Sequence, residues 1–202
     1  MKKIVITGAS GFIGRVLCKS LSNLNYNITV DISDISDVDT IVHLAARVHI
    51  THETDSDPLA AFRRVNVEGT KQLVDLAINK KVKRFIFISS LAIYVDGNDF
   101  FYPISFNEES KPNPISPYAI SKWEAEQYLN DVAKKTDMEI VIIRSPLVYG
   151  SCVKANFLNL LKLTKTGLPL PVGLLNSRRS MIGVNNFGFG KVGNGNNFLG
   201  MP

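Results

Sequence analysis

Apolar and polar positions along the chain alternate between two periods. Lys3 to Thr7 is a short apolar run with the length of a buried strand, and Phe12, Ile13, Val16, Leu17, Leu21 and Leu24 then recur at helical spacing. NITV follows as a second strand ending at Asp31, and TIVHLAA at 40–46 is a third apolar run. Between them stands only DISDISDVD, with four aspartates in nine residues. Ser56-Asp57-Pro58 is a helix start, and Leu59, Phe62, Val65, Leu73, Val74, Ala77 and Ile78 carry a helical pattern to the cationic KKVKR. RFIFIS at 84–89 is apolar throughout, the pattern of a strand covered on both faces of a parallel sheet.

Residues 94–115 form a long connection rich in Pro, Asn, Gly and Asp, a length that predicts a functional role such as the wall of a site. Ser116-Pro117 predicts the cap of a helix running to about Thr136, and EIVIIRS at 139–145 is a further buried strand leading into PLVYG. NFLNLLKLTKTG then has the pattern of a basic amphipathic helix that stops at Gly167. The glycine-studded tail beyond it has too few periodic apolar positions for a packed element, and we expect it to be irregular or mobile. Strands alternating with helices predict an α/β fold with a doubly wound, Rossmann-like parallel sheet. We divide it into a dinucleotide-binding domain at 1–150 and a partial substrate lobe at 151–202.

Composition adds limits. With 202 residues the chain can bury one full core, and no apolar run reaches the ~20 residues that span a bilayer. The MKKIVITG start is broken by glycine and polar residues and reads as a strand rather than a signal peptide, which predicts a cytoplasmic protein without a membrane partner. Cys18 and Cys152 are two isolated thiols, unsuited to a disulfide framework or a metal cluster. The net charge of +5 is uneven, because every acidic residue lies at or before Glu139. The basic final third lacks the basic runs and interleaved aromatics of a nucleic-acid surface, so a small diphosphate is the better-matched partner.

Chemistry concentrates in a few places. Gly8, Gly11 and Gly14 stand three apart between strand and helix, a spacing that lets backbone approach a pyrophosphate while the first helical N–H groups face it. A glycine-rich turn also joins strand to helix without any ligand. Asp31, seventeen residues beyond Gly14, is near the spacing of a ribose-binding acid and is equally suited to a turn that ends a strand. Ser89 and Ser90 end a buried strand, and Tyr118 and Lys122 lie four apart on one helical face.

Six stretches arrive in order, TGASGFIG, HLAA, VNVEGT, FISSLAIY, YAISK and RSPLVYG. Together they make the chain resemble the extended short-chain dehydrogenase/reductases, the NAD-dependent epimerase/dehydratases that act on nucleotide sugars. The resemblance implies that Ser90, Tyr118 and Lys122 are catalytic, Ser90 being chosen over Ser89 by counting back four from Tyr94. It implies NAD, with NADP left open, held by Gly8, Gly11, Phe12, Ile13, Gly14, Asp31, Leu44, Ala45, Ala46, Ser89, Tyr118, Lys122 and Pro146. Asn66 matches the asparagine of the family's VN motif, where it serves either cofactor or scaffold. The substrate would be a UDP-hexose or UDP-N-acetylhexosamine, touched by Ser90, Lys154 and Asn156, with Arg179 on its diphosphate.

Stretches VKANF, GLPLPVG and RRS are similar to those of bacterial enzymes that make N-acetylated hexosamines for surface polysaccharides, although Ser180 and Gly183 depart from the commoner RDYIHV pattern. Trp123, Tyr128 and Leu129 would serve either a homodimer face or the core. Members normally carry another helix and strand before HLAA, so one βα unit is missing here. Asp31 therefore corresponds either to the ribose-side acid after the second strand or to an adenine-side aspartate after the third. Members also continue well beyond this length in the substrate lobe. The implied activity is epimerisation or reduction at C4, and the alternative is a catalytically impaired NAD(P)-binding protein.

Overall fold

The structure, a computed structural model, describes residues 2–33, 35–48, 55–94, 106–107, 109–151, 162–166 and 180–187, with the backbone alone of 191–192 and 196–197. Five parallel strands form its centre: β1 (Lys3–Thr7), β2 (Asn27–Thr29), β3 (Thr40–His43), β4 (Arg84–Ser90) and β5 (Glu139–Ser145), in the order β2-β1-β3-β4-β5. The order reverses at β1, whose neighbours β2 and β3 are reached by crossovers on opposite faces, so a crevice opens where β1 and β3 end.

Period-two alternation in β1 serves both faces. Ile4 and Ile6 meet Leu17 and Leu21 of α1 (Phe12–Asn23), whereas Val5 turns to the other layer. That second layer holds α3 (Gly69–Asn79), through Leu73, Val74 and Ala77, and α4 (Pro117–Lys135), through Ala125, Leu129 and Val132. Phe85 and Phe87 of β4 complete this core, fully buried as the apolar run required. β5 departs from expectation. Only Ser145 of its seven residues is buried, because β5 forms the edge of the sheet.

The link from β2 to β3 shows how the sheet closes with one βα unit fewer. No helix occurs between Thr29 and Thr40 among the described residues; instead Ile35 and Val38 insert into the core beneath β1 where a helix stripe would lie. Asp39 pins the end of this link, accepting from the Lys3 N–H at 3.1 Å through its carboxylate and donating its own N–H to the Lys3 carbonyl at 3.0 Å. Since β2 pairs directly with β1, Asp31 follows the strand next to the glycine turn.

Helix ends follow their signals. Asp57 caps α2 (Pro58–Arg63) by accepting from the Ala60 N–H at 3.0 Å, with Pro58 in the first turn. Ser116 caps α4 in the same way, from the Ala119 N–H at 3.2 Å, with Pro117 next. Between α2 and α3 the helix widens for one turn at Arg64–Glu68 to i→i+5 bonding.

Beyond β5, β6 (Leu147–Tyr149) pairs in parallel with β7 (Met181–Gly183), which leads into the one-turn helix α5 (Val184–Phe187). Val184 is buried, and Phe187 enters the core beside Leu17 and Leu21. Here the tail departs from the irregularity expected of it, for a three-residue strand and one helical turn are too short to show a period. Lys191–Val192 also pairs antiparallel with Asn196–Asn197. Of the amphipathic stretch ending at Gly167, residues 162–165 are helical, and the rest lies outside the described residues. No described helix is long and apolar enough to cross a membrane.

Candidate active site

The glycine turn forms the floor of the crevice. Gly8 has φ +71°, and a Cβ there would stand 2.7 Å from the backbone nitrogen of Ala45. A Cβ on Gly14 would stand 2.2 Å from the Gly8 carbonyl oxygen, so any side chain would push α1 off the turn. The Gly11 N–H closes the turn on that carbonyl at 2.9 Å. No side chain caps α1, which leaves its first N–H groups for an anion.

Around the floor runs a chain of buried hydrogen bonds. The Ala45 N–H donates to Thr7 Oγ1 at 3.2 Å, and Thr7 Oγ1 lies 2.6 Å from His43 Nδ1; His43 Nε2 lies 3.1 Å from Thr70 Oγ1. Thr70 gives its single hydroxyl proton to the Asn66 carbonyl at 2.7 Å. The proton on Nε2 therefore belongs to His43, Nδ1 accepts from Thr7, and the ring is neutral. Burial agrees, pushing the imidazole down to about 3.

Asn66, on the widened turn, continues the chain. Its Nδ2 donates to the Arg47 carbonyl at 3.0 Å and to Ser121 Oγ at 2.9 Å, while Oδ1 accepts from the Arg47 N–H at 2.8 Å. Ser121 donates to the Tyr118 carbonyl at 2.8 Å. The end of β1 is thus tied to the first turn of α4 through fixed polar groups.

At the other wall, Ser90 Oγ accepts from the Ala92 N–H at 3.1 Å and is hydrogen-bonded to the Tyr118 phenol. Burial raises the phenol above its usual range, and the Ser90 donor, which favours phenolate, pulls it back. Lys122 is almost wholly buried. Its Nζ donates to the Ile88 carbonyl at 2.9 Å and sits 4.4 Å from the Phe87 ring centroid; burial lowers the ammonium to about 7 against the pull of Glu126. An ammonium beside the phenol is the expectation from the sequence, and the structure turns that ammonium toward strand β4. Glu126, entirely buried, is held in turn by Arg144 of β5.

Ser90 and Tyr118 thus meet, while Lys122, one helical turn on, is bound to β4; Leu44, Ala45, Gly8 and Gly14 meet at the crevice floor. Phe12 and Ile13 stand at the start of α1, Ala46 follows Ala45, and Pro146 follows Ser145 at the end of β5. Asp31 is exposed and acts in a turn, accepting from the Ser33 N–H at 2.8 Å and hydroxyl at 2.6 Å. Ser89 is buried, and its hydroxyl has no partner among the described residues. Leu129 belongs to the core, and Tyr128 donates to Asp75 at 2.7 Å. Lys154, Asn156, Arg179 and Cys152 lie outside the described residues, as does most of the 94–115 connection, although Phe106 stacks on Tyr94 at 5.1 Å. Reading the sequence missed the Thr7–His43–Thr70 bridge and the Glu126–Arg144 pair. The second had a signal, a lone arginine in an apolar strand and a glutamate one turn beyond Lys122.

A cradle that any Cβ would fill, an uncapped helix start and an orphan buried hydroxyl fit a dinucleotide. Fold and site together define a Rossmann-like protein with the serine–tyrosine–lysine set of short-chain dehydrogenases. A family model described as the NAD dependent epimerase/dehydratase family matches residues 29–163, and the chain belongs to that family. It is 37% identical to a UDP-glucose 4-epimerase of Vibrio cholerae, over 92% of this chain and 64% of the relative. It is 31% identical to an N-acetyl-alpha-D-glucosaminyl-diphospho-ditrans,octacis-undecaprenol 4-epimerase of Escherichia coli O157:H7, over 91% of this chain and 60% of that one. The chain therefore spans less than two thirds of the length of these relatives. A crystal structure of a UDP-glucuronic acid 4-epimerase from Bacillus cereus, with UDP-glucuronic acid and NAD, superposes with a TM-score of 0.75 at 25% identity, covering 92% of this chain and 70% of that one.

Proposed function

We propose that this chain carries the cofactor site and acid–base centre of an enzyme that epimerises or reduces C4 of a diphosphate-linked hexose or N-acetylhexosamine, of the kind built into bacterial surface polysaccharides. The observation that carries this reading is the hydrogen bond between Ser90 and Tyr118 at the carboxyl end of β4 next to the crevice, with Lys122 buried one helical turn beyond Tyr118. NAD, when bound, supplies a hydride acceptor and donor for C4. Gly8, Gly11 and Gly14 would hold its pyrophosphate, with Phe12 and Ile13 at the helix start. Leu44, Ala45, Ala46, Ser89 and Pro146 would line its path, and Asp31 would meet the adenosine ribose.

Tyr118 takes the proton from the sugar 4-hydroxyl and returns it to the same oxygen. Ser90 donates a hydrogen bond that steadies the phenolate oxygen and the sugar oxygen as the proton moves. Lys122, kept charged, adds the positive field a phenolate needs near neutrality. Lys154 and Asn156 would contact the sugar, and Arg179 would grip the diphosphate.

Incubation with UDP-glucose or UDP-N-acetylglucosamine and NAD, followed by proton NMR of the sugar, tests the reading. Interconversion at C4 with no net consumption of reduced nicotinamide supports an epimerase; stoichiometric consumption of NAD(P)H with a 4-keto sugar supports a reductase. The helix-free β2–β3 link favours one other reading, a protein that binds NAD(P) without turning sugars over. That reading predicts NAD(P) released on denaturation and no C4 chemistry with either sugar.

A further inference from the structure

Glu126 is a buried carboxylate that the proposed chemistry leaves without a task. It stands four residues after Lys122 on the inner stripe of α4, and neither side chain reaches water to any useful extent. Burying a carboxylate is costly unless its oxygens are matched. Arg144 matches them, with Nε at 3.3 and 3.1 Å from the two oxygens and Nη2 at 2.8 Å from Oε2. Strand register explains the placement. Arg144 of β5 pairs with Ser89 of β4, the residue after Ile88, whose carbonyl receives Lys122. The guanidinium is fixed further by donating to Tyr94 Oη and by lying over the Tyr94 and Trp123 rings at 5.2 and 5.8 Å. Lys122 and Glu126 therefore stand one helical turn apart in the interior, and Arg144 closes on Glu126 from β5.

We propose that Glu126 is a positioning residue that keeps Lys122 as an ammonium during turnover, and that Arg144 sets how strongly it does so. The proposal rests on the acid–base reading of Tyr118 and Lys122 given above. Other groups facing this part of α4 do not supply the charge. His43 of β3 is neutral; β4 presents a carbonyl and the Phe87 face; Tyr94 is bonded to Arg144. Asp75 of α3 accepts from Tyr128, and Glu124 pairs outward with Arg63 of α2. Among the described residues Glu126 is left as the anion acting on Lys122, opposing the burial that drives the proton off.

The test reads Lys122 directly. Lysine labelled with 13C at the ε carbon is followed by NMR against pH in the full chain, with the Lys122 resonance assigned by its loss in Lys122→Met. Glu126→Gln, which keeps shape and removes charge, is expected to lower the Lys122 midpoint by about one pH unit, tenfold in its ionisation constant. The alkaline limb of the rate profile would move down with it, and Glu126→Asp would restore at least half of the shift. A Lys122 midpoint within about 0.2 unit of wild type in folded Glu126→Gln would overturn the proposal. Where Glu126→Gln does not fold, the double variant Glu126→Gln/Arg144→Met removes both buried charges together. A Lys122 midpoint there no lower than in Arg144→Met overturns the proposal, and a lower one supports it. If the titration shifts as expected while Tyr118→Phe leaves turnover intact, the functional reading fails and the charge coupling stands.

Discussion

The two halves of the crevice are built differently. On the Tyr118 side, long elements bring buried polar groups together, and each described link from Thr7 through His43, Asn66 and Ser121 to the Tyr118 carbonyl is a hydrogen bond between fixed partners. On the Asp31 side, a three-residue strand ends in an exposed turn, and two apolar side chains replace a helix. The proposed acid–base chemistry, which needs orientation within a fraction of an ångström, would use the rigid half. On the proposed reading the simpler half would meet the adenosine ribose, through an acid held in an exposed turn.

The largest effect should come from the floor that both halves share. Gly8→Val combines a strained positive φ with a clash against Ala45, and we expect it to cost more than about 4 kcal/mol and to abolish NAD binding, as read by urea unfolding and titration calorimetry. A smaller effect separates the rigid half by pH. His43 is held near 3 in the fold against about 6.5 unfolded, so the unfolded chain binds the extra proton between those values. The neutral ring's contribution is full above pH 6.5 and is lost as pH falls toward 3, with a ceiling on the order of 5 kcal/mol. His43→Gln should therefore show a flatter fall in urea midpoint across that window than wild type.

The simpler half should respond through packing first. Ile35→Ala is expected to cost about 2 to 4 kcal/mol by leaving a cavity under β1, measured by urea unfolding, with the Tyr118 side unperturbed. Smallest of all, Asp31→Asn should keep the Ser33 turn and weaken NAD binding only about threefold, because the carboxylate is exposed and already engaged. A hundredfold loss there would mean that the two halves are equally demanding.

Legibility in the sequence followed the same division. The α4 cap and the buried β4 rested on local signals, namely Ser116-Pro117 and an unbroken apolar run. Both survive because cap and strand are decided within a few residues. The position of Asp31 next to the glycine turn was open, because it depends on which strand lies beside β1, a fact of topology. Glu126 and Arg144 looked like ordinary charges until strand register set one against the other. The half-buried β5 was misjudged because apolar residues alone do not tell an edge strand from a central one. Residues 181–187 were misjudged because their elements are shorter than any period.

The central claim is that Tyr118 is the group through which this crevice does acid–base chemistry. Wild type and Tyr118→Phe, both saturated with NAD, can be compared for turnover of one diphosphate-linked hexose alongside NAD affinity. The account expects a fall in kcat of about 10²- to 10⁴-fold with NAD affinity kept within a few-fold. A phenylalanine variant that turns the sugar over within tenfold of wild type would contradict it.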